Sequence, residues 1–279
     1  MDKPNLEHWE TLASFHGTGA DRIYDVDALV AGQDSTGDVE ESALDFATRG
    51  RGVAGLDVIH IQSHIGFDSV TMARRGARVT AVDFSPTALA RAQEIATLAG
   101  VSLETVEADS RELPRSLDNR FDLAYATIGV LCWIDDVDKW MACAAQTLRT
   151  GGRLVIVEIH PLMNVFASSE PLVADFAYGG AAPNQWTGSG SYANLDADFI
   201  TSSEEYAHSL GEIVNAALQG GLTPLSLIEH DSLGFDPRGN MLHLDGDGRY
   251  RFRVGVGADG TSASASALPI AYTLVAEKS

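Results

Sequence analysis

The apolar positions change period along the chain, and the changes mark out its elements. "LDVIHI" at 56–61 is a short, nearly continuous apolar run, the pattern of a strand covered on both faces. "FDSVTMARRG" then predicts a helix ending at Gly76, and "RVTAV" at 78–82 predicts a second, β-branched strand. Ser85 and Pro86 open the next helix as N-cap and first helical residue. Leu89, Ala92, Ala96 and Ala99 line its apolar face, and Gly100 stops it. "VSLETVEAD" at 101–109 and "FDLAYAT" at 121–127 predict the third and fourth strands. Val137, Trp140, Met141, Ala144 and Leu148 recur at helical spacing until "TGG" at 150–152, and "RLVIVEI" at 153–159 is the fifth strand. Strands alternating with helices predict an α/β fold, doubly wound around a mostly parallel sheet with right-handed crossovers.

After His160 the pattern breaks. Residues 161–205 are rich in Gly, Ser, Ala and Pro and carry isolated aromatics at Phe166, Phe176, Tyr178, Trp186, Tyr192 and Phe199. So long a stretch without clear periodicity is either functional or disordered, and the aromatics favour a functional lid. Regular structure returns at Ser209, which forms a capping box with Glu212. Leu210, Ile213, Val214, Ala217 and Leu218 are the expected buried face of this helix, with Gly220 as its cap. "LTPLSLIEHD" at 222–231 and "ALPIAYTLVAE" at 267–277 predict two late strands, making seven. "ADGTSASASA" at 258–267 reads as a mobile low-complexity loop. The expected division is an N-terminal cover at 1–50, a ligand-binding core at 51–160, a lid insertion after strand five at 161–205, and the C-terminal part of the sheet at 206–279.

Composition narrows the partners. No apolar run approaches the roughly 20 residues of a bilayer span, and "MDKPNLEHWE" lacks an apolar signal core, so a soluble, cytoplasmic protein is expected. Against 39 acidic residues stand 19 Lys and Arg, a net charge of -20. That field disfavours nucleic acid and anionic membranes, whose recognition needs clustered cations. A small molecule is the expected partner; self-association is left open. Cys132 and Cys143 form neither a metal-spaced pair nor a disulfide framework, so buried thiols and no metal are expected.

The chemistry gathers where strand ends meet. In such sheets ligands bind at the carboxyl edge, where strand order reverses. The turn after strand one usually carries several glycines; here Gly66 remains, with Gln62 and His64 where glycines are expected. No Lys stands in the turn, so it is a poor triphosphate cradle. Asp83 ends strand two, where an acidic group commonly accepts both ribose hydroxyls. Asp109 and Ser110 end strand three, where an adenine amino group can be read. A nucleoside without a demanding phosphate fits these positions; Asp109 equally suits a turn cap.

Taken together, strand one, Asp83-Phe84-Ser85-Pro86, "EAD" at 107–109 and "LRTGGRLVIVE" at 148–158 resemble class I S-adenosylmethionine-dependent methyltransferases. The likeness is strong over about 55–160 and weaker over 20–55 and 206–277. One branch of that family is resembled more closely, in which a Leu-Gln-Cys-His-x-Gly motif replaces the glycine-rich loop. Its counterparts here are Ile61-Gln62-Ser63-His64-Ile65-Gly66, Leu131-Cys132-Trp133, His160-Pro161 and "HSLGEIVNA" at 208–216. The resemblance implies a Rossmann-like methyltransferase fold, S-adenosyl-L-methionine as cofactor, and methyl transfer to a nitrogen or oxygen of a small molecule, such as a specialised metabolite. It implies cofactor contacts at Gln62, Ser63, His64, Gly66, Asp83, Phe84, Asp109, Ser110 and Thr127. Two departures stand out: His60 occupies a usually acidic position, and Ser63 replaces the branch cysteine. His60 reads as a packed strand residue. His64 serves either to shape the turn or to touch the cofactor.

At the acceptor end, His160 is the candidate base or orienting group, with a backbone-held histidine as the competing reading. Tyr24, Trp133, Tyr192, Tyr206 and His208 are candidate acceptor contacts; core packing or helix capping would explain several of them equally. Two other functions compete. One is a nucleoside-binding protein without methyl transfer. The other is a nicotinamide-dependent dehydrogenase, which lacks the Gly-x-Gly-x-x-Gly fingerprint here.

Overall fold

Strands whose residues are apolar on both faces belong in the middle of a sheet, and β1 (Asp57–Ile61), β4 (Phe121–Thr127) and β5 (Leu148–Ile159) lie there. Val58, Ile59, Ala124, Tyr125 and Leu154–Val157 are fully buried. The structure is a computed structural model that describes residues 3–19, 23–169, 172–194, 196–238, 241–252 and 268–279. Helices α1 (Lys3–Phe15), α2 (Val26–Val30) and α3 (Asp38–Thr48) precede β1. Between β1 and β4 come α4 (Phe67–Arg74), β2 (Arg78–Asp83), α5 (Pro86–Leu98) and β3 (Glu104–Glu107). Helix α6 (Val137–Thr147) leads into β5. After β5 follow α7 (Pro161–Val165), β6 (Phe166–Ser169), β7 (Leu172–Ala174), β8 (Gly180–Ser189) and β9 (Ile200–Ala207). The chain closes with α8 (Leu210–Gln219), β10 (Leu222–His230), β11 (His243–Leu244), β12 (Tyr250–Arg251) and β13 (Ala271–Lys278).

The main sheet has seven strands in the order β10-β13-β5-β4-β1-β2-β3. β13 runs antiparallel to both neighbours, and the other pairings are parallel. From β1 the chain winds outward through β2 to β3, then returns to β4 on the other side. The carboxyl ends of β1 and β4 therefore border the crevice of the switch point. Helices α6 and α8 cover one face, through Trp140, Met141, Ala144, Ile213, Ala216 and Ala217. On another face Val39, Ala43, Leu44 and Met72 pack against Val58, Tyr125, Val155 and Val275.

The predicted caps form as expected. Ser85 Oγ accepts from Ala88 N at 3.0 Å, with Pro86 as the first helical residue. Ser209 and Glu212 bond each other's backbone N–H. Three expectations change. The buried face of α8 is Ile213, Ala216 and Ala217, while Leu218 is exposed, because only that stripe meets α6. Residues 161–205 are not irregular: β8 and β9 pair as an antiparallel hairpin, and β6 pairs with β7. Much of β8 is exposed, so its sequence shows no apolar alternation. Cys132 and Cys143 are half-buried free thiols rather than core residues. The stretch 258–267 lies outside the described residues. No helix among the described residues is long and apolar enough to cross a membrane.

Denaturant unfolding will read these contacts. Ile213→Ala is expected to cost about 2–5 kcal/mol and Ser209→Ala about 1 kcal/mol. Leu218→Ala should stay within about 0.5 kcal/mol of wild type.

Candidate functional site

The turn that leaves β1 is left-handed three times, at Gln62 (φ 59°), His64 (φ 49°) and Gly66 (φ 78°). For the two non-glycine residues this costs roughly 1–2 kcal/mol each. The turn is correspondingly well fastened. Gln62 Oε1 accepts from Trp140 Nε1 at 2.7 Å, and Gln62 Nε2 donates to Val130 O at 3.1 Å. The His64 backbone N–H donates to Asp83 Oδ2 at 2.8 Å, and the Ser85 N–H to Asp83 Oδ1 at 2.9 Å. Ser63 N–H donates to Val82 O at 2.9 Å. At Gly66, a Cβ would stand 2.7 Å from the Ala92 Cβ, so only glycine lets α4 begin this close to α5. Burial pushes the Asp83 carboxyl up to about 6, although its N–H donors oppose the shift.

A cavity of about 1010 Å³ opens at the carboxyl ends of β1 and β4. Gln62, Ser63, His64 and Gly66 line its floor, with Thr127 at the end of β4. Ser63 Oγ is buried and has no hydrogen-bond partner among the described residues. Asp68 accepts from Thr127 Oγ1 and from Ser35 Oγ, both at 2.6 Å. Glu158 ties down the loop after β4 by accepting from the N–H groups of Gly129, Val130 and Leu131, as well as Ile159. Burial raises its carboxyl. His60 is a packed strand residue: Nδ1 bonds Ser69 Oγ at 2.8 Å, and burial lowers the imidazole to about 4. Among the described residues, no group of three or more His, Cys, Asp or Glu is placed to hold a metal.

Helix α1 lies over this floor, a contribution that the sequence reading left undivided within the N-terminal cover. Trp9 meets His64 and Trp133 edge-on, with ring centroids 5.1 and 5.2 Å apart. His8 stacks on Trp133 at 5.5 Å, and its Nδ1 bonds Thr201 Oγ1 at 2.8 Å. His16 Nδ1 bonds His64 Nε2 at 2.8 Å, while its Nε2 bonds Ser191 Oγ at 3.1 Å. Burial holds His8 down to about 4 and His16 to about 3, so both rings are neutral near pH 7. Glu10 accepts from Ser85 Oγ and Thr87 Oγ1, fixing α1 to the start of α5. In the sequence His8 and Trp9 are adjacent and His16 follows about two turns later, just past the end of α1, a spacing that by itself does not mark a site.

The structure brings many of the expected residues together. Gln62, Ser63, His64, Gly66, Thr127, Tyr24, Trp133, Tyr192, Tyr206 and His208 all line the cavity. Tyr24 OH and Tyr192 OH bond each other, and His208 Nε2 donates to Ile134 O at 2.6 Å. Asp83, Phe84, Asp109 and Ser110 do not line it. Asp83 is occupied in holding the turn, and Asp109 is clasped by Arg111 through Nε at 3.0 Å and Nη2 at 2.7 Å. The expectation that His160 faces the acceptor needs correction. It is buried outside the cavity lining, where Nδ1 accepts from Leu162 N at 3.0 Å and Nε2 bonds Glu229 at 2.9 Å. It is the N-cap of α7.

Residues 61–156 match a family described as a methyltransferase domain. An uncharacterized protein of Mycobacterium tuberculosis is 30% identical over 146 residues, covering 50% of this chain and 51% of that protein. The ubiquinone biosynthesis O-methyltransferase of Aromatoleum aromaticum is 30% identical over 117 residues, covering 42% of this chain and 50% of that enzyme. The chain thus spans about half the length of the curated relatives it matches. A solved S-adenosylmethionine-dependent methyltransferase from Clostridium acetobutylicum shares the fold, with a TM-score of 0.57 at 13% identity over 91% of this chain and 96% of that one.

The cavity wall also sets a pH dependence. Glu40, buried in the first turn of α3, is raised from 4.5 to about 7 by desolvation, with the charges of Asp68 and Asp38 adding to the shift. The folded chain thus favours the protonated acid. This contribution is fully present below the unfolded value and is lost as pH rises through about 7. Glu40→Gln mimics the protonated form. Between about pH 4.5 and 8, wild type should lose up to about 3 kcal/mol relative to that variant, measured by urea unfolding at each pH.

Proposed function

With a methyltransferase domain at residues 61–156 and a fold shared with S-adenosylmethionine-dependent methyltransferases, we propose that this chain transfers a methyl group to a nitrogen or oxygen of a small molecule. The observation that carries this reading is the fastened left-handed turn at 62–66, which opens onto the cavity at the switch point. The residues present fit S-adenosyl-L-methionine. Gly66 permits close backbone approach, and the unpartnered Ser63 hydroxyl faces a cavity with a hydrogen bond to give. Gln62, His64 and Thr127 line the same floor. Asp83 serves the site from behind, holding the turn through the His64 and Ser85 N–H groups. Phe84, Asp109 and Ser110 follow β2 and β3 at the same sheet edge, on the side suited to the base.

When bound, the cofactor supplies a sulfonium methyl for in-line displacement. The protein's share is alignment, worth on the order of 7–11 kcal/mol in well-oriented systems. Trp133, Tyr192, Tyr206, Tyr24 and His208 wall the acceptor space. His8 borders that space as a neutral ring, and because burial weakens it as a base it serves to orient an acceptor by hydrogen bonding. His160 acts as a positioning residue through its cap on α7.

Calorimetry and thermal unfolding with S-adenosylmethionine and S-adenosylhomocysteine test the reading. One equivalent should bind, adding about 2.7 kcal/mol of stability at a hundredfold excess over Kd. A well-folded sample that neither compound stabilises would refute it. Binding of both, with no acceptor ever methylated, would leave a nucleoside-binding protein.

A further inference from the structure

We propose that the acceptor is a planar, carboxylate-bearing molecule whose carboxylate is taken by Arg238. As a statement about the acceptor, this rests on the methyl-transfer reading; as a statement about an anion site, it stands alone.

Among the described residues that line the cavity, Arg238 is the sole Arg or Lys. The other ionisable side chains there include the acids Asp68, Glu158 and Glu205. A cation facing such a chamber should be paired, as Arg111 is with Asp109 and Arg153 with Glu277. Arg238 makes no ion pair among the described residues. Its guanidinium hydrogen-bonds the neutral Asn164 Oδ1 through Nη2, at 2.5 Å. Glu205, whose charge it feels, is hydrogen-bonded by Trp186 instead. Half-buried, the guanidinium keeps unpaired N–H donors toward a cavity in a protein of net charge -20.

The mount is firm. Asp236 Oδ1 accepts from Arg238 N at 3.0 Å, and its Oδ2 accepts from the N–H groups of Met241 and Leu242 at 2.9 and 3.1 Å. Asn164 lies on α7, the helix that His160 caps. His160 therefore helps to position this cation without touching the cavity.

One fixed guanidinium matches a carboxylate, which it can hold by two parallel N–H bonds. A phosphate dianion would demand more positive charge than one Arg offers against so many carboxylates. The neighbouring walls are aromatic, with Phe176 and Trp186 5.4 Å apart and Phe235 beside the mount, so a flat ring fits the remainder.

Benzoate and its neutral isostere benzamide are the probes, titrated into protein saturated with S-adenosylhomocysteine and followed by calorimetry. Wild type should prefer benzoate by at least about tenfold. Arg238→Gln should abolish the preference while leaving homocysteine-nucleoside affinity and thermal unfolding unchanged, and Arg238→Lys should keep part of it. Equal binding of the two probes by wild type would overturn the proposal. So would a preference that survives Arg238→Gln, or no saturable binding of either probe. If S-adenosylhomocysteine fails to bind yet the Arg238-dependent preference appears without it, the methyl-transfer reading falls and the anion site remains.

Discussion

The hydrogen bonds from the backbone N–H groups of His64 and Ser85 to the Asp83 carboxylate join the end of β1 to the end of β2. A turn with three left-handed residues and one glycine is not stable by itself. Asp83 holds it from one side, the Gln62 amide from another through Trp140 and Val130, and His64 from a third through His16. What glycine does elsewhere by conformational freedom is done here by side-chain bonding. The floor of the cavity, the start of α4 and the placement of α1 all depend on that set of bonds.

Much of the fold was legible because its signals are local. The apolar runs of β1, β4 and β5, the Ser85-Pro86 start and the Ser209–Glu212 box each depend on residues a few positions apart. The β8–β9 hairpin was not legible, because an exposed hairpin has no buried face to impose alternation. The phase of α8 slipped because Leu210 and Leu218 flank a stripe chosen by contact with α6, a partner about seventy residues earlier.

The site divides along the same line. Gln62, Ser63, His64 and Gly66 were found because they are contiguous, and the motif order placed them at the switch point. Asp83 was expected to point at a ligand, yet its carboxylate turns to the nearest unsatisfied donors, two backbone N–H groups. His160 precedes a proline that starts α7, and a ring there serves as the cap. Roles such as those of His8, His16 and Arg238 come from tertiary approach: α1 meets β9, and Arg238 meets α7. Nothing in their local sequence announces these encounters.

The position of β13 has a consequence for how the chain is built. It is the last strand in sequence, yet it sits inside the sheet, between β5 and β10. During synthesis β5 must wait with one edge unpaired and its apolar residues Leu154–Val157 in place. β10 has nothing in the sheet to pair with until β13 arrives, since β13 is its one neighbour there. The half of the sheet that carries Glu158 thus closes only once β13 has emerged, and an open edge of this kind is where nascent chains go astray.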